Sequence, residues 1–468
     1  MSETNEDVKL SLKAMINKEK NKVLFAEADS HFVDILLSFL TLPLGRIIKI
    51  LDKHYGDEAP AIGSLSSLYR SLANLDSAHF VTKGAKQTLL KPRSSFDEEC
   101  ERLKLDISDS HLEYFHCTTC SWEIFRSVSL YYDKCIRLDF FCSGCSHYSS
   151  TSTRVAEKRR ETGSVAVFTK QNTSFIISDD LQILPNEMGI VGIVAFLGIT
   201  DMDKAELINV DLGFNEIMNL LMTSLTSPTP LSDVILNKTN TSILESPPLL
   251  QNVATEENPK SKNLSLKLMI QKSSGRFLYA QAKEEFVEFL LGLLHIPLGA
   301  AEYLVAGKTC IKAIDNLYRS AADLVLDKYF KSPDTKKRLM KPNLIHGCIS
   351  ENYIVPLTQE CLPDDYSYKM KWFPSSIKFP NGQGSYLTQP QTYRVADDLT
   401  VTPLCIVSTL SSLRKQKIPI SDVEEVELKI GLKEAVGILI ASLTSTSALS
   451  DVLLRHKSIE QAKEKSAE

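Results

Sequence analysis

No apolar run in this chain is long enough to cross a membrane. The longest, Met188 to Thr200, lies between Glu187 and Asp201, and a spanning helix needs about 20 residues. An excess of basic residues is also missing. With 53 Lys and Arg against 58 Asp and Glu, the net charge is −5, so the positive field required for generic phosphate-backbone binding is absent and nucleic acid could meet only a local patch. The opening, MSETNEDVKLSLK, puts three acidic residues before the first basic one and has no apolar core, unlike a secretory signal or an Arg-rich transit peptide. The expectation is an intracellular protein, cytoplasmic or nuclear. No H-E-x-x-H, G-x-S-x-G or dinucleotide-binding fingerprint occurs. The sequence therefore names no reaction, no catalytic residue and no small-molecule substrate.

What is present is a soluble composition, 43% hydrophobic and 24% charged, spread over 468 residues. That length exceeds one ordinary core and points to two domains. In a reducing compartment the ten cysteines stay free, and suitably spaced ones can bind metal. Sequons such as those at Asn237 and Asn263 then mean little.

The half-chains are duplicates. Leu10–Gly45 aligns with Leu264–Gly299 without a gap, with 18 identities in 36 positions, including Met15/Met269, Phe32/Phe286 and Pro43/Pro297. The match resumes at Leu68-Tyr69-Arg70-Ser71 with Leu317-Tyr318-Arg319-Ser320, at Lys91-Pro92 with Lys341-Pro342, and at Asp179-Asp180-Leu181 with Asp397-Asp398-Leu399. It ends with Ser224–Ser227 facing Ser442–Ser445, and Leu231-Ser232-Asp233 facing Leu449-Ser450-Asp451. Between Lys-Pro and Asp-Asp-Leu the first copy has 86 residues and the second 54, a difference of 32. An insert of that size separates the copies. The organisation read from this is a first repeat unit over 1–236 with an insert near 111–150, a polar linker over 237–263 carrying Pro247-Pro248, a second unit over 264–454, and a frayed tail over 455–468.

Each copy opens as a β-hairpin: Leu10 to Ile16, a turn over Lys18 to Lys22, then Val23 to Ala28. Asn21 faces Gly275 across the alignment, and these residue types best tolerate positive φ. A helix follows with Phe32, Ile35, Leu36, Phe39 and Leu40 at the spacing of a buried face, matched by Phe286, Phe289, Leu290, Leu293 and Leu294. Pro43 or Pro297 ends or restarts it. Ser174 to Ser178 reads as a strand. Late helices open after Gly213 and Gly431, burying Ile217, Leu221 and Leu225 or Ala435, Leu439 and Leu443. Strands and helices do not alternate as in a doubly wound sheet, so the fold class is α+β: two tandem copies of one unit, with a zinc-ribbon-like insert in the first only.

That insert holds Cys117-x2-Cys120-x21-Cys142-x2-Cys145. Two such knuckles supply four thiolates at the ends of tight turns, the geometry of tetrahedral zinc. Gly144 suits a knuckle turn, and Phe125 to Tyr132 is rich in β-formers. Four cysteines leave no open position for water, so the expected metal is one structural zinc ion, contributing on the order of 10 kcal/mol to so small a unit. An iron-sulfur centre, a redox disulfide and inert buried thiols are the alternatives. His116, His147 and Cys135 are substitute ligands at most. Nucleic-acid contact through the ribbon is disfavoured by local charge. From His111 to Thr153, Arg126, Lys134 and Arg137 are balanced by Glu113, Glu123, Asp133 and Asp139, and the basic run Arg154 to Arg160 includes Glu157.

Gly307-Lys308-Thr309 imitates the end of a phosphate-binding loop, but Glu302 stands where its first glycine belongs. Polar residues retained in both copies are Arg70/Arg319, Asp179/Asp397, Asp180/Asp398, Glu216/Glu434 and Asp233/Asp451. A paired-carboxylate active site or small-ligand site is one reading of them. Capping and turn chemistry is the other, and it needs nothing further.

The opening LSLKAMINKEKNKVLFAEADSHFVDILLSFLTLPLG, followed by LYRS, the double Cys-x2-Cys, SDDL and SLTSPTPLSDV, resembles the plant-specific family called domain of unknown function 674 across nearly the whole chain. In that family the second knuckle often carries a proline, with a methionine soon after. Ser143 and the Ser-His-Tyr continuation depart from this without touching a ligand. The resemblance implies a plant source and a tandem arrangement, and brings no catalytic residue. The expectation is a non-enzymatic scaffold that presents surfaces to protein partners.

Overall fold

The computed structural model describes residues 8–81, 83–109, 166–199, 202, 204–237, 263–345, 348–350, 352–359, 385–388 and 391–454, together with five short strands between 114 and 155. Alternation in Leu10–Asn17 turns Leu10, Leu12 and Ala14 inward and Ser11 and Lys13 outward. Leu264–Gln271 repeats the pattern. Each pairs with the next strand, Lys22–Asp29 or Phe277–Lys283, and the turn residues Asn21 and Gly275 take φ of 46° and 68°. Both hairpins slip register at the same place, between Met15 and Ile16 and between Met269 and Ile270. The slip accommodates one extra residue on the second strand.

Each hairpin is the centre of a five-stranded antiparallel sheet. The first runs Ala205–Leu212, Leu10–Asn17, Lys22–Asp29, Ser174–Ser178, Ile183–Pro185. The second runs Val423–Ile430, Leu264–Gln271, Phe277–Lys283, Thr392–Val395, Val401–Pro403. The strand order is the same in both. With the helices segregated from these sheets, the chain is α+β.

The periodicity of Phe32, Ile35, Leu36 and Phe39 leads one to expect a helix buried on one face. Instead Ser30–Phe39 is buried on nearly all sides, Val33, Asp34 and Leu37 included. The equivalent Glu284–Gly292 is the same. The cause is a crossing of the two copies just beyond these helices. Pro43 and Pro297 each stand immediately before a new helix, Leu44–Tyr55 or Leu298–Leu304, and the two prolines face each other in an antiparallel bridge. The Leu44 amide donates to Ile296 O at 2.9 Å, the Leu298 amide to Leu42 O at 2.9 Å, and the Gly299 amide to Leu40 O at 2.7 Å. The copies are joined there about a local two-fold axis.

Past that crossing the helices exchange sheets. Lys312–Asp323 of the second copy packs on Ile183–Pro185 at the edge of the first sheet, and Leu65–Asn74 of the first packs on Val401–Pro403 of the second. Two further reciprocal contacts seal the exchange. Val81 N donates to Tyr386 O and Thr388 N to His79 O, while Lys170 N donates to Tyr329 O and Lys331 N to Phe168 O. A single buried cluster consequently runs from Leu10 to Leu453 through both copies. The copies separate cleanly in sequence, yet they share one interior. The linker residues 238–262 and the tail 455–468 lie outside the described residues. No helix among the described residues is long and apolar enough to cross a membrane.

The late helices Phe214–Thr226 and Leu432–Thr444 bury Ile217, Leu221 and Leu225, and Ala435, Leu439 and Leu443. Their starts are held by Glu216 and Glu434, whose carboxylates accept from the Gly213 and Gly431 amides at 2.8 and 2.9 Å.

The closeness of the copies depends on glycine at the crossing. A Cβ on Gly299 would lie 2.9 Å from Leu40 O, and one on Gly45 would lie 2.9 Å from Leu294 Cβ. Alanine in a helix gains about 1 kcal/mol over glycine, but forcing a methyl into a packed seam costs about 1–3 kcal/mol. The obstacle at Gly299 is a backbone carbonyl already hydrogen-bonded to that residue, so the steric cost wins. Gly299→Ala is expected to lower the denaturant midpoint of the whole chain, read by circular dichroism. An unchanged or raised midpoint would contradict the tight crossing.

Candidate functional site

The cysteine-bearing segment is built on paired strands. Tyr114–Cys117 pairs with Glu123–Arg126 on one side and Ser152–Val155 on the other, and Phe140–Phe141 pairs with Tyr148–Ser149. Cys117 closes its strand and Cys120 falls in the connection 118–122, while Cys142 and Cys145 fall in the connection 142–147. In sequence, each Cys-x2-Cys thus follows or includes the end of the first strand of a pair and precedes the second. The Cys117 side chain, Cys120, Cys142 and Cys145 lie outside the described residues, as do Cys135, His147 and the His116 side chain. Among the described residues no His, Cys, Asp and Glu group of metal-binding size occurs.

Carboxylates hold both roots of this segment. At the entry Asp109, with φ 50°, accepts from Lys49 Nζ at 2.8 Å and Lys53 Nζ at 2.7 Å. Burial pushes its carboxyl up, and the two ammonium groups outweigh that and hold it at about 2. At the exit the buried Asp34 accepts from the amides of Val167, Phe168 (3.2 Å) and Thr169 (2.8 Å) and from Thr169 Oγ1 (2.8 Å). Burial outweighs these donors and raises its carboxyl to about 6. Beneath the entry, Arg46 and Asp97 form a buried ion pair, and Arg46 Nε also donates to Pro92 O at 2.9 Å. Such a pair fixes geometry more than it adds stability.

In the second copy Glu288 occupies the position of Asp34. It accepts from Leu387 N at 2.7 Å, Asn352 Nδ2 at 2.9 Å and Ser385 Oγ, and burial raises its carboxyl as well. Both carboxylates secure the chain as it returns toward the fourth strand. An identity comparison passes over this pair because one copy has Asp and the other Glu. The signal was an acidic residue at one aligned position of an otherwise apolar helix. A second overlooked pair is Lys86 and Lys336. Lys86 Nζ donates to Ala73 O and Leu75 O, and Lys336 Nζ to Ala322 O and Leu324 O, closing equivalent helix ends.

The retained polar residues do local work. Asp179 accepts from Ser232 N at 2.8 Å and Ser232 Oγ at 2.9 Å, and Asp397 from Ser450 N at 2.8 Å and Ser450 Oγ. Each thus ties the tight turn between the fourth and fifth strands of its sheet to the final helix of its own copy. Asp233 and Asp451 accept from Ser227 and Ser445. Asp180 receives Ser178 Oγ and pairs with Lys312 of the other copy at 3.0 Å, whereas Asp398 receives Thr400 N and Oγ1. Arg70 pairs with Asp52 and Arg319 with Asp315. Apart from the Asp180–Lys312 pair between the copies and the two arginine ion pairs, these are capping and turn contacts.

The loop that imitates a nucleotide site is occupied by its own acids. Ala306, Gly307 and Cys310 all have positive φ. Thr309 Oγ1 lies 2.6 Å from Glu302 Oε1 and 2.8 Å from Asp315 Oδ1. A hydroxyl has one proton to donate, so one of the two acids must itself carry a proton. Glu302 is fully buried, and burial with the nearby Asp315 charge raises its carboxyl well above the ordinary range. The loop holds a neutral acid where a phosphate site would need cations.

Outside these contacts, apolar side chains are exposed on the connection from the last-but-one to the last strand of each copy. Ile190 and Val191 are 75% and 79% exposed on helix Gly189–Phe196, and Ile406 and Val407 are 71% and 77% exposed on Ile406–Lys415. In the second copy that helix and the sheet border a shallow groove of about 190 Å³, lined by Tyr279, Leu404, Ile406, Leu410 and Ile420 among others. The first copy fills the corresponding layer with Phe25, Ile176, Leu184, Ile193 and Leu197.

A duplicated α+β protein with interlocked copies, carboxylate-pinned loops and a cysteine-bearing side module is what the architecture defines. The chain matches the family described as Protein of unknown function (DUF674) over residues 6–433, most of its length, and belongs to that family. Nothing among curated proteins or solved structures matches it.

The buried Glu302 makes a pH prediction. An acid whose folded value is raised contributes fully below its unfolded value of about 4.5 and loses that contribution as pH rises through the folded value. Glu302→Gln removes the ionisation, so its melting temperature relative to the unsubstituted protein is expected to rise as the pH is raised above 5. A difference that stays flat, or falls, would show that Glu302 is not held neutral.

Proposed function

We propose that this chain is a non-enzymatic, intracellular protein-interaction scaffold whose first copy is braced by one structural zinc ion held by Cys117, Cys120, Cys142 and Cys145. The observation that carries the scaffold reading is the pair of aliphatic patches, Ile190 with Val191 and Ile406 with Val407, repeated on the same connection of both copies. Exposed apolar clusters on an otherwise charged surface mark contact sites for apolar side chains of a partner. Catalysis by the retained Asp pairs is the second reading. It is disfavoured because Asp179 and Asp397 each have both oxygens engaged by a serine, leaving no poised base.

The zinc reading is supported by the two hairpins that each carry a Cys-x2-Cys, and by a ligand set of four thiolates that leaves no coordination place for water. Its role is local bracing. The second copy builds the same five-stranded sheet without the insert, so metal is not needed for the core. Nucleic-acid contact through the ribbon lacks the basic surface it would need.

Protein produced in zinc-replete cells is expected to contain one zinc per chain by elemental analysis. Cys117→Ser should release it and leave most of the helical circular dichroism unchanged. Metal-free unsubstituted protein, or global unfolding on substitution, would contradict the assignment. For the patches, a partner captured from native tissue and then reconstituted from purified components should lose binding at least tenfold with Ile406→Glu/Val407→Glu or Ile190→Glu/Val191→Glu. Unaltered affinity in both variants would remove the patches from the account.

A further inference from the structure

We infer that the surface buried between the copies is a self-association surface in its own right, whose partner is a repeat of the same kind, and that the two copies have diverged so that a first copy selects a second. Covalent linkage holds the pair together in this chain, but the contacts do not depend on it. They are reciprocal, like those of a symmetric dimer with exchanged elements. The Leu44 and Leu298 amides donate across the crossing to Ile296 O and Leu42 O, and the contacts of Phe80 with Leu387 and Thr169 with Phe330 are the same exchange made in both directions. Each copy's helices complete the other's sheet, so a copy alone would expose much of one continuous interior.

Selectivity lies where the reciprocity breaks. Arg338 Nη1 of the second copy donates to Glu99 of the first at 2.7 Å, Nη2 donates to Ser95 O at 2.8 Å, and the guanidinium lies 4.4 Å from the Phe96 ring centroid. The first copy has Thr88 at the position of Arg338, in the shared run ending Leu-Leu-Lys-Pro or Leu-Met-Lys-Pro. The second copy has Asn-Leu-Ile-His-Gly-Cys, with no acid, where the first has Glu98-Glu99-Cys100 and the residues before it. Two first copies would thus set Glu99 against threonine, and two second copies would leave Arg338 without that carboxylate. The Lys312 to Asp180 pair at 3.0 Å disfavours two first copies only, because glycine stands at the position of Lys312 in the first copy whereas Asp398 retains the carboxylate in the second. That glycine, Gly63, has φ 47°, and a Cβ there would lie 2.5 Å from Ser442 O. The mixed pair alone provides both ion pairs.

The test uses the full chain with a protease site placed at Pro247-Pro248 in the linker. After complete cleavage the halves are expected to elute together at the mass of the uncut protein. Mixing two nicked preparations that carry different fluorophores on their second halves and a common tag on their first should yield particles with exchanged halves. Separation of the halves in native buffer would overturn the inference of a self-association surface. In the nicked protein, Glu99→Arg or Arg338→Glu is expected to raise the dissociation constant at least tenfold, as loss of one partner from a largely buried charge pair does. Glu99→Arg combined with Arg338→Glu should return it to within about threefold of the unsubstituted value. A double variant no tighter than the weaker single one would overturn the selectivity. Asp180→Lys with Lys312→Glu repeats the comparison at the second pair, should the first variants fail to fold.

Discussion

The short antiparallel crossing at Pro43 and Pro297 is the constraint on which the rest of the molecule depends. Proline lacks an amide and fixes φ, so each copy's chain must leave its buried helix in extended form there. The neighbouring amides of Leu44 and Leu298 then find their acceptors only on the opposite copy. Glycine two residues later lets the backbones approach closely enough for those bonds to form. Once the chains cross, the following helices are carried over the other sheet, and the two sets of apolar residues close into one interior. Duplication has in this way produced one continuous buried cluster instead of two adjacent ones.

Buried carboxylates do the positioning in this interior. Asp34 and Glu288 gather backbone amides of the returning loops, Asp179 and the half-buried Asp397 hold the final helix of each copy, and Asp97 meets Arg46. A buried acceptor with several donors is costly to disrupt, because removing it leaves those amides unsatisfied. Each therefore fixes one loop in one place. The same chemistry that could suggest an active site in a sequence is here used to secure chain segments, and the large differences between the copies, such as the cysteine insert, occur between secured points.

Local structure was legible in the sequence, and the reasons are specific. The hairpins were visible from alternation, their turns from Asn21 and Gly275, the late helices from Gly213 and Gly431, and the family from motifs distributed along the whole chain. The exchange of helices between sheets was not legible. Periodicity reports that a helix has an apolar face and is silent about which sheet that face meets. The all-round burial of Ser30–Phe39 was not legible for the same reason, because the partners of Asp34 lie more than a hundred residues away and Ser38 bonds within the helix itself. The candidate cysteine set rests on spacing alone, since its side chains lie outside the described residues. The carboxylates that root its segment were not, since Asp109 and Asp34 stand outside the motif and only one of them has a counterpart of similar chemistry in the second copy.

With one interior, both copies are expected to unfold as one body. Differential scanning calorimetry of the full chain tests this most directly. A shared interior requires a single principal transition whose calorimetric and van't Hoff enthalpies agree. Two well-separated transitions, each with about half the total enthalpy, would show two independent domains and contradict the account.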